Sequence, residues 1–216
     1  MGLLQPYQFL GAISHFGLGV ELDFYMLTQA CEILERWTID NANKLSVSVN
    51  VHAESLSGEL FYDFIARIQD EWKFDLSRLR LEITETGIIK NNSPAHKNIV
   101  KLQNLGMTIS LDDFGSGTTI LGYLTYLCPN EIKIDRSLIN SAFYADDPEK
   151  KLVATKMLLS MVDWVNAMAG VQLVVEGIEN QEQMDFLTKN SVSIGQGYLF
   201  GRPTPLRNFE AQMMGV

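Results

Sequence analysis

The chain has 216 residues, 46% of them apolar, enough to bury one large core but short of the roughly 250 residues of a typical eight-unit α/β barrel. A net charge of -9 and an isoelectric point near 4.8 exclude a DNA or RNA polymer, or an anionic membrane, as a partner gripped directly by basic side chains. An anionic ligand would need cations to mediate.

The first forty residues read as helical, with PYQFLGAISHFG followed by VELDFYMLTQACEILERW, in which apolar residues recur three and four apart. Between residues 45 and 200, β-branched runs alternate with segments of helical period, the signature of repeated βα units in a single domain. The pattern predicts strands at 45-51, 79-84, 108-112, 131-134, 171-176 and 193-197, with helices near 59-70, 95-105, 118-127, 149-169 and 180-189. Gly106, Gly170 and Asn190 stand where helices should stop in a left-handed cap. Asp135-Arg136-Ser137 and the run from Tyr144 to Pro148 carry loop and helix-start chemistry. Lys150, Lys151, Lys156 and Asp163 interrupt the segment 149-169, which therefore reads as a surface helix.

No stretch of about 18 uninterrupted apolar residues occurs, and no basic-then-apolar leader opens the chain. A cytoplasmic domain without direct membrane contact is expected, with a membrane-anchored parent left open. Cys31 and Cys128 show neither zinc nor disulfide spacing and read as reduced thiols, Cys128 as a core residue of its apolar run.

Five strands carry a polar residue at or near their C-terminal ends: Asn50, Glu82, the pair Asp112 and Asp113, Lys133 and Glu176. In a parallel α/β barrel such ends converge on one face. Adjacent aspartates would repel unless neutralised, and hard divalent cations with oxygen ligands are the usual solution. Alternatively, one aspartate caps the helix beginning near Thr118 and the other faces water. Asn50 adds a neutral oxygen ligand, so with Glu82 and Asp112 it could hold one metal without excess charge. Glu85 reads as the first-turn acid of a helix, structural rather than a ligand. Lys133, between Ile132 and Ile134, is either a buried ion-pair partner or a group that holds the attacking water or a phosphate oxygen. Glu176 precedes Gly177, where backbone can approach a ligand. His15, His52 and His96 show no ligand spacing, which favours magnesium or manganese over zinc.

The strings EITETG, LDDFGSGTTILGYL, IKIDRSLI, VVEGIENQEQMDFL and GQGYLFGRPTP, in that order, resemble successive blocks of the EAL-domain family of cyclic di-GMP phosphodiesterases. The resemblance runs from about Gln5 to about Pro205 and implies a TIM-like (β/α) barrel in which two divalent cations, Mg2+ or Mn2+, help water cut cyclic di-GMP to linear pGpG. It further implies that Asn50, Glu82, Asp112 and Asp113 are metal ligands, Asp112 the bridging one, and that Lys133 holds the nucleophilic water. Glu176 resembles the catalytic carboxylate, also at the metal; Glu179 a supporting partner; Gln196 a substrate-side residue; and Glu85 the glutamate that steadies the loop after the aspartate pair. Family members begin with two further strands, the second bearing a Glu-Ala-Leu signature absent from this sequence. The expectation is therefore an N-terminally truncated barrel of about six strands, with open edges that invite self-association. A catalytically inactive module that binds cyclic di-GMP or a protein partner stays open as the alternative.

Overall fold

A computed structural model describes residues 4-40, 42, 44-84, 89-116 and 121-214. The chain divides into two compact units, residues 1-109 with 121-128, and residues 110-120 with 129-216.

The first unit opens with α1 (Pro6–His15) and α2 (Gly19–Ile39), followed by β1 (Val47–Asn50), α3 (Ala53–Ser57), α4 (Glu59–Glu71), β2 (Leu79–Thr84) and α5 (Pro94–Asn104). It is completed by α6 (Leu121–Leu127). Helix α2 carries Leu27, Ala30, Cys31, Leu34 and Trp37 on one buried stripe, three and four residues apart, as helical periodicity demands. Strands β1 and β2 pair in parallel with Val47 opposite Leu79 and Asn50 opposite Glu82. Arg78, only 7% exposed, ties the chain leaving α2 to the start of β2: its guanidinium donates to Leu45 O (2.7 Å), Thr38 Oγ1 (2.7 Å) and Ala42 O (3.1 Å). Helix α6 is tied to α5 by a His96 Nε2 contact with Tyr126 O at 2.9 Å, and to the preceding loop by Tyr126 OH donating to Ile89 O at 2.9 Å.

The second unit holds most of β3 (Thr108–Phe114), then β4 (Glu131–Ile134), α7 (Arg136–Tyr144), α8 (Pro148–Asn166), β5 (Gln172–Val175), α9 (Gln181–Lys189) and α10 (Leu206–Met214). Strand order follows the sequence in each unit, and β4 pairs in parallel with both β3 and β5. Flanked on both edges, β4 has all four residues buried. Asp135 caps α7 by accepting from Ser137 N (3.0 Å), and Asp147 caps α8 by accepting from Glu149 N (2.9 Å), the helix-start chemistry read in the sequence. Leu158, Val162 and Val165 of α8 are fully buried while Leu152 and Val153 remain about half exposed, so α8 is a surface helix with one covered face.

Two expectations are corrected. The sixth strand, 193-197, exists only as an isolated bridge between Val175 and Gly195. Gly195 and Gly197 both lie against Ile178, where a Cβ would overlap existing atoms, so the segment packs as close irregular backbone rather than as a pleated strand. Cys128 is exposed: it sits past the end of α6 with a φ of 45°, its N–H donating to Leu124 O, and Leu127 takes the core position instead. Helices α3, α7 and α10 are elements that the sequence pattern did not single out, and residues 117-120 of the expected 118-127 helix lie outside the described residues. Among the described residues, no helix is long and apolar enough to cross a membrane.

Candidate functional site

The second unit gathers four of the sequence-predicted residues. Lys133 Nζ lies 3.0 Å from Asp112 Oδ1 and 2.7 Å from Glu176 Oε1, with the lysine only 5% exposed. Asp112, Asp113 and Glu176 each offer a carboxylate oxygen within 4.8 Å of the others. Strands β3 and β4 and the residue just after β5 supply these groups side by side, because β4 sits between β3 and β5 in register, with Leu111 opposite Ile132 and Lys133 opposite Val174.

Two consecutive residues on a regular strand point to opposite faces. The register of β3 on β4 shifts between Leu111, opposite Ile132, and Phe114, opposite Ile134, so Asp112 and Asp113 together face the single residue Lys133. This is a β-bulge. Asp113 carries the irregularity with a φ of 57°, and Gly115 follows at 92°. Aspartate tolerates the left-handed region better than most residues, and the bulge lets both carboxylates share one cluster. The strand does not end at the pair, as the sequence reading supposed, but continues to Phe114, which stacks on Trp164 at 6.0 Å.

Glu176 directly follows β5, and its N–H donates to Ile134 O at 3.0 Å, extending the β4–β5 ladder by one residue. Gly177 then turns at a φ of 73° against Arg136, where any Cβ would overlap the arginine's own Cβ. The glycine is thus required both by conformation and by space.

Electrostatically the cluster is an excess of carboxylates around one ammonium. Burial first, then the Asp112 and Asp135 carboxylates, push the Asp113 carboxyl above its ordinary range, while Lys133 and Arg136 pull against them. Asp112 Oδ1 is buried and, despite its 3.0 Å approach to Lys133 Nζ, has no aligned hydrogen-bond donor among the described residues. An unsatisfied buried carboxylate oxygen, two neighbouring carboxylates and the absence of soft donors in the cluster together fit a hard divalent cation.

The other expected residues are described within their own units. Asn50 is the exposed last residue of β1 and Glu82 is buried in β2, opposite each other in register. Gln196 lies in the bridge segment, its N–H donating to Val175 O (2.9 Å) and its carbonyl accepting from Ile178 N (3.0 Å). Glu179 is exposed; its N–H donates to Gln183 Oε1 (2.7 Å) at the start of α9. Glu85 lies outside the described residues. Sequence reasoning treated Asp135 and Arg136 only as helix-start residues, although both act on Asp113. Their position two and three residues after Lys133, where β4 gives way to α7, was the available signal.

The profile of the EAL domain family matches residues 1–203. Cyclic di-GMP phosphodiesterase NbdA of Pseudomonas aeruginosa is 31% identical over 211 residues, covering 97% of this chain and 26% of that protein. Cyclic di-GMP phosphodiesterase RocR of the same organism is 30% identical over 212 residues, covering 97% of this chain and 51% of that protein. The chain thus spans between about a quarter and a half of the length of these relatives. The PaMucR phosphodiesterase in its c-di-GMP complex has a TM-score of 0.84 at 29% identity, covering 96% of this chain and 81% of that one. The EAL enzyme Bd1971 in its cAMP and cyclic-di-GMP bound form has a TM-score of 0.85 at 27% identity, covering 98% and 56%. The α/β architecture with parallel strands is that of EAL domains and agrees with the TIM-like barrel expected from the sequence.

Proposed function

The chain belongs to the EAL domain family, and on that premise we propose that it is a cyclic di-GMP phosphodiesterase unit that cleaves one phosphodiester of cyclic di-GMP to leave linear pGpG. The observation that carries this reading is the cluster of Asp112, Asp113 and Glu176 around Lys133. Asp112, Asp113 and Glu176 would hold two divalent cations, Mg2+ or Mn2+. Asn50 and Glu82 are proposed as further ligands on the family resemblance alone. Bound there, the cations would supply Lewis acidity toward a phosphate oxygen and toward water.

The chain's own side chains supply the rest. Lys133 Nζ, held between the Asp112 and Glu176 carboxylates, is fixed in position, and its positive charge is proposed to hold a water oxygen or a phosphate oxygen. The water oxygen bonds to phosphorus, the bond from phosphorus to the ribose 3′ oxygen breaks, and the proton released by water is taken by the Glu176 carboxylate and passed to the departing 3′ oxygen, which leaves as a hydroxyl. Burial of Lys133 and of Asp112 Oδ1 limits the screening of these charges by bulk water. Gln196 is proposed to meet the substrate, with Glu179 and Glu85 in supporting positions. Because β1 pairs only with β2 among the described residues, we also read its second edge as a site of self-association, to be checked by light scattering.

The deciding experiment incubates the protein with cyclic di-GMP and Mn2+ or Mg2+ and follows pGpG chromatographically, beside a Glu176→Gln variant. Metal-dependent pGpG formation lost in the variant supports the reading. Nucleotide binding without turnover would identify a binding module instead, and neither binding nor turnover would end it.

A further inference from the structure

The first unit contains a buried charge for which the proposed reaction has no use. Asp23, on α2, is 2% exposed, and its carboxylate gathers polar groups of His52 and Ser55 at the start of α3. His52 N donates to Oδ2 at 2.8 Å, Ser55 Oγ donates to the same oxygen at 2.6 Å, and His52 Nδ1 lies 2.9 Å from Oδ1. The contacts span 29 and 32 residues of chain. Withdrawing a carboxylate from water costs several kcal/mol, and an apolar side chain facing α3 could have joined helix to helix without that cost. What an apolar contact lacks is direction.

The anchored residue explains what direction is needed for. His52 comes two residues after Asn50, and between them Val51 N donates to Glu82 O at 2.9 Å. Strand β1 is four residues long, with β2 as its one strand partner among the described residues. The end of so short a strand frays unless its exit is held. Asn50 is therefore bracketed by the β2 register on one side and by the Asp23 anchor on the other.

We propose that Asp23 is a positioning residue that fixes the exit of β1, and with it the amide of Asn50, through His52 and Ser55. The inference rests on the reading of Asn50 as a metal ligand, and its test separates the two. Asp23→Ala and Asp23→Asn are compared with Leu27→Ala, which removes a fully buried side chain from the same helix and controls for lost stability. Two quantities are read at a temperature where circular dichroism shows each variant folded: Mn2+ affinity by calorimetry, and amide hydrogen exchange at residues 50 to 52. Asp23→Ala is expected to weaken Mn2+ binding roughly tenfold or more and to speed exchange at those amides. Asp23→Asn, which still accepts from His52 N and Ser55 Oγ, restores most of both, and Leu27→Ala changes neither selectively. Equal effects of Asp23→Ala and Leu27→Ala, or none from Asp23→Ala, overturn the proposal. If Asp23→Ala fails to fold, Ser55→Ala is read the same way. If the unmodified protein binds no Mn2+, the ligand reading of Asn50 falls, and the exchange measurement still decides whether Asp23 holds the β1 exit.

Discussion

At Asp113 two demands meet: a left-handed backbone and a carboxylate forced toward neutrality by burial and by Asp112 and Asp135. Because its folded-state pKa is raised above the unfolded value, the penalty is absent below the ordinary aspartate range, about 3.9, and grows as pH rises through the folded value. In chelator, stability should therefore fall with rising pH across the window just above the ordinary range, and Asp113→Asn should flatten that slope. Thermal melts at several pH values read this directly; an unchanged slope in the variant would show that Asp113 is not the titrating group. Lys133 behaves in the opposite sense. Lys133→Met leaves the largely covered Asp112 and Glu176 carboxylates without their ammonium and should cost roughly 3 kcal/mol in chelator, with part recovered when Mn2+ is added. Denaturant titrations with and without metal measure both quantities, and a variant as stable as the parent in chelator refutes the assignment.

At the scale of elements, the site depends on where strands give way to loops. Gly177 and Gly170 make a controlled pair. Both have positive φ, 73° and 80°, but a Cβ at Gly177 would overlap Arg136 whereas one at Gly170 meets nothing within 4 Å. Gly170→Ala should lose only the conformational cost, on the order of 1 kcal/mol. Gly177→Ala should lose clearly more and displace Glu176; equal denaturation midpoints would contradict the packing argument. Five of the six predicted strands form within a few residues of their expected bounds, because β-branched runs bounded by turn residues state strand propensity locally. The sixth fails because VSIGQG is drawn into irregular contact with Ile178, which no local pattern reveals. Helix α7 was missed beyond its cap, since its nine residues are too few for the period to stand out.

Over the whole molecule, the carboxylate excess ties stability to cations. Ligand binding to the folded state alone stabilises by mass action, about 2.7 kcal/mol at a hundredfold excess over Kd. Mn2+ or Mg2+ should raise the melting temperature in a concentration-dependent way, and Asp112→Asn should abolish the shift; a melting temperature indifferent to metal would remove the cation site.

Residue types and their order determined the family, the alternation of strands and helices, and the acidic and basic groups that are proposed to carry the chemistry. All of these are written in local spacing and in short strings. Tertiary structure alone decided that the twin aspartates share one cluster, because that depends on a two-against-one register between β3 and β4. It alone decided that Lys133 is held by Asp112 and Glu176 and that Asp23 holds the exit of β1, since these pairings join residues tens of positions apart. Spacing along a chain records which face a side chain can take, while the partner it meets there is set only when strands pair and helices pack.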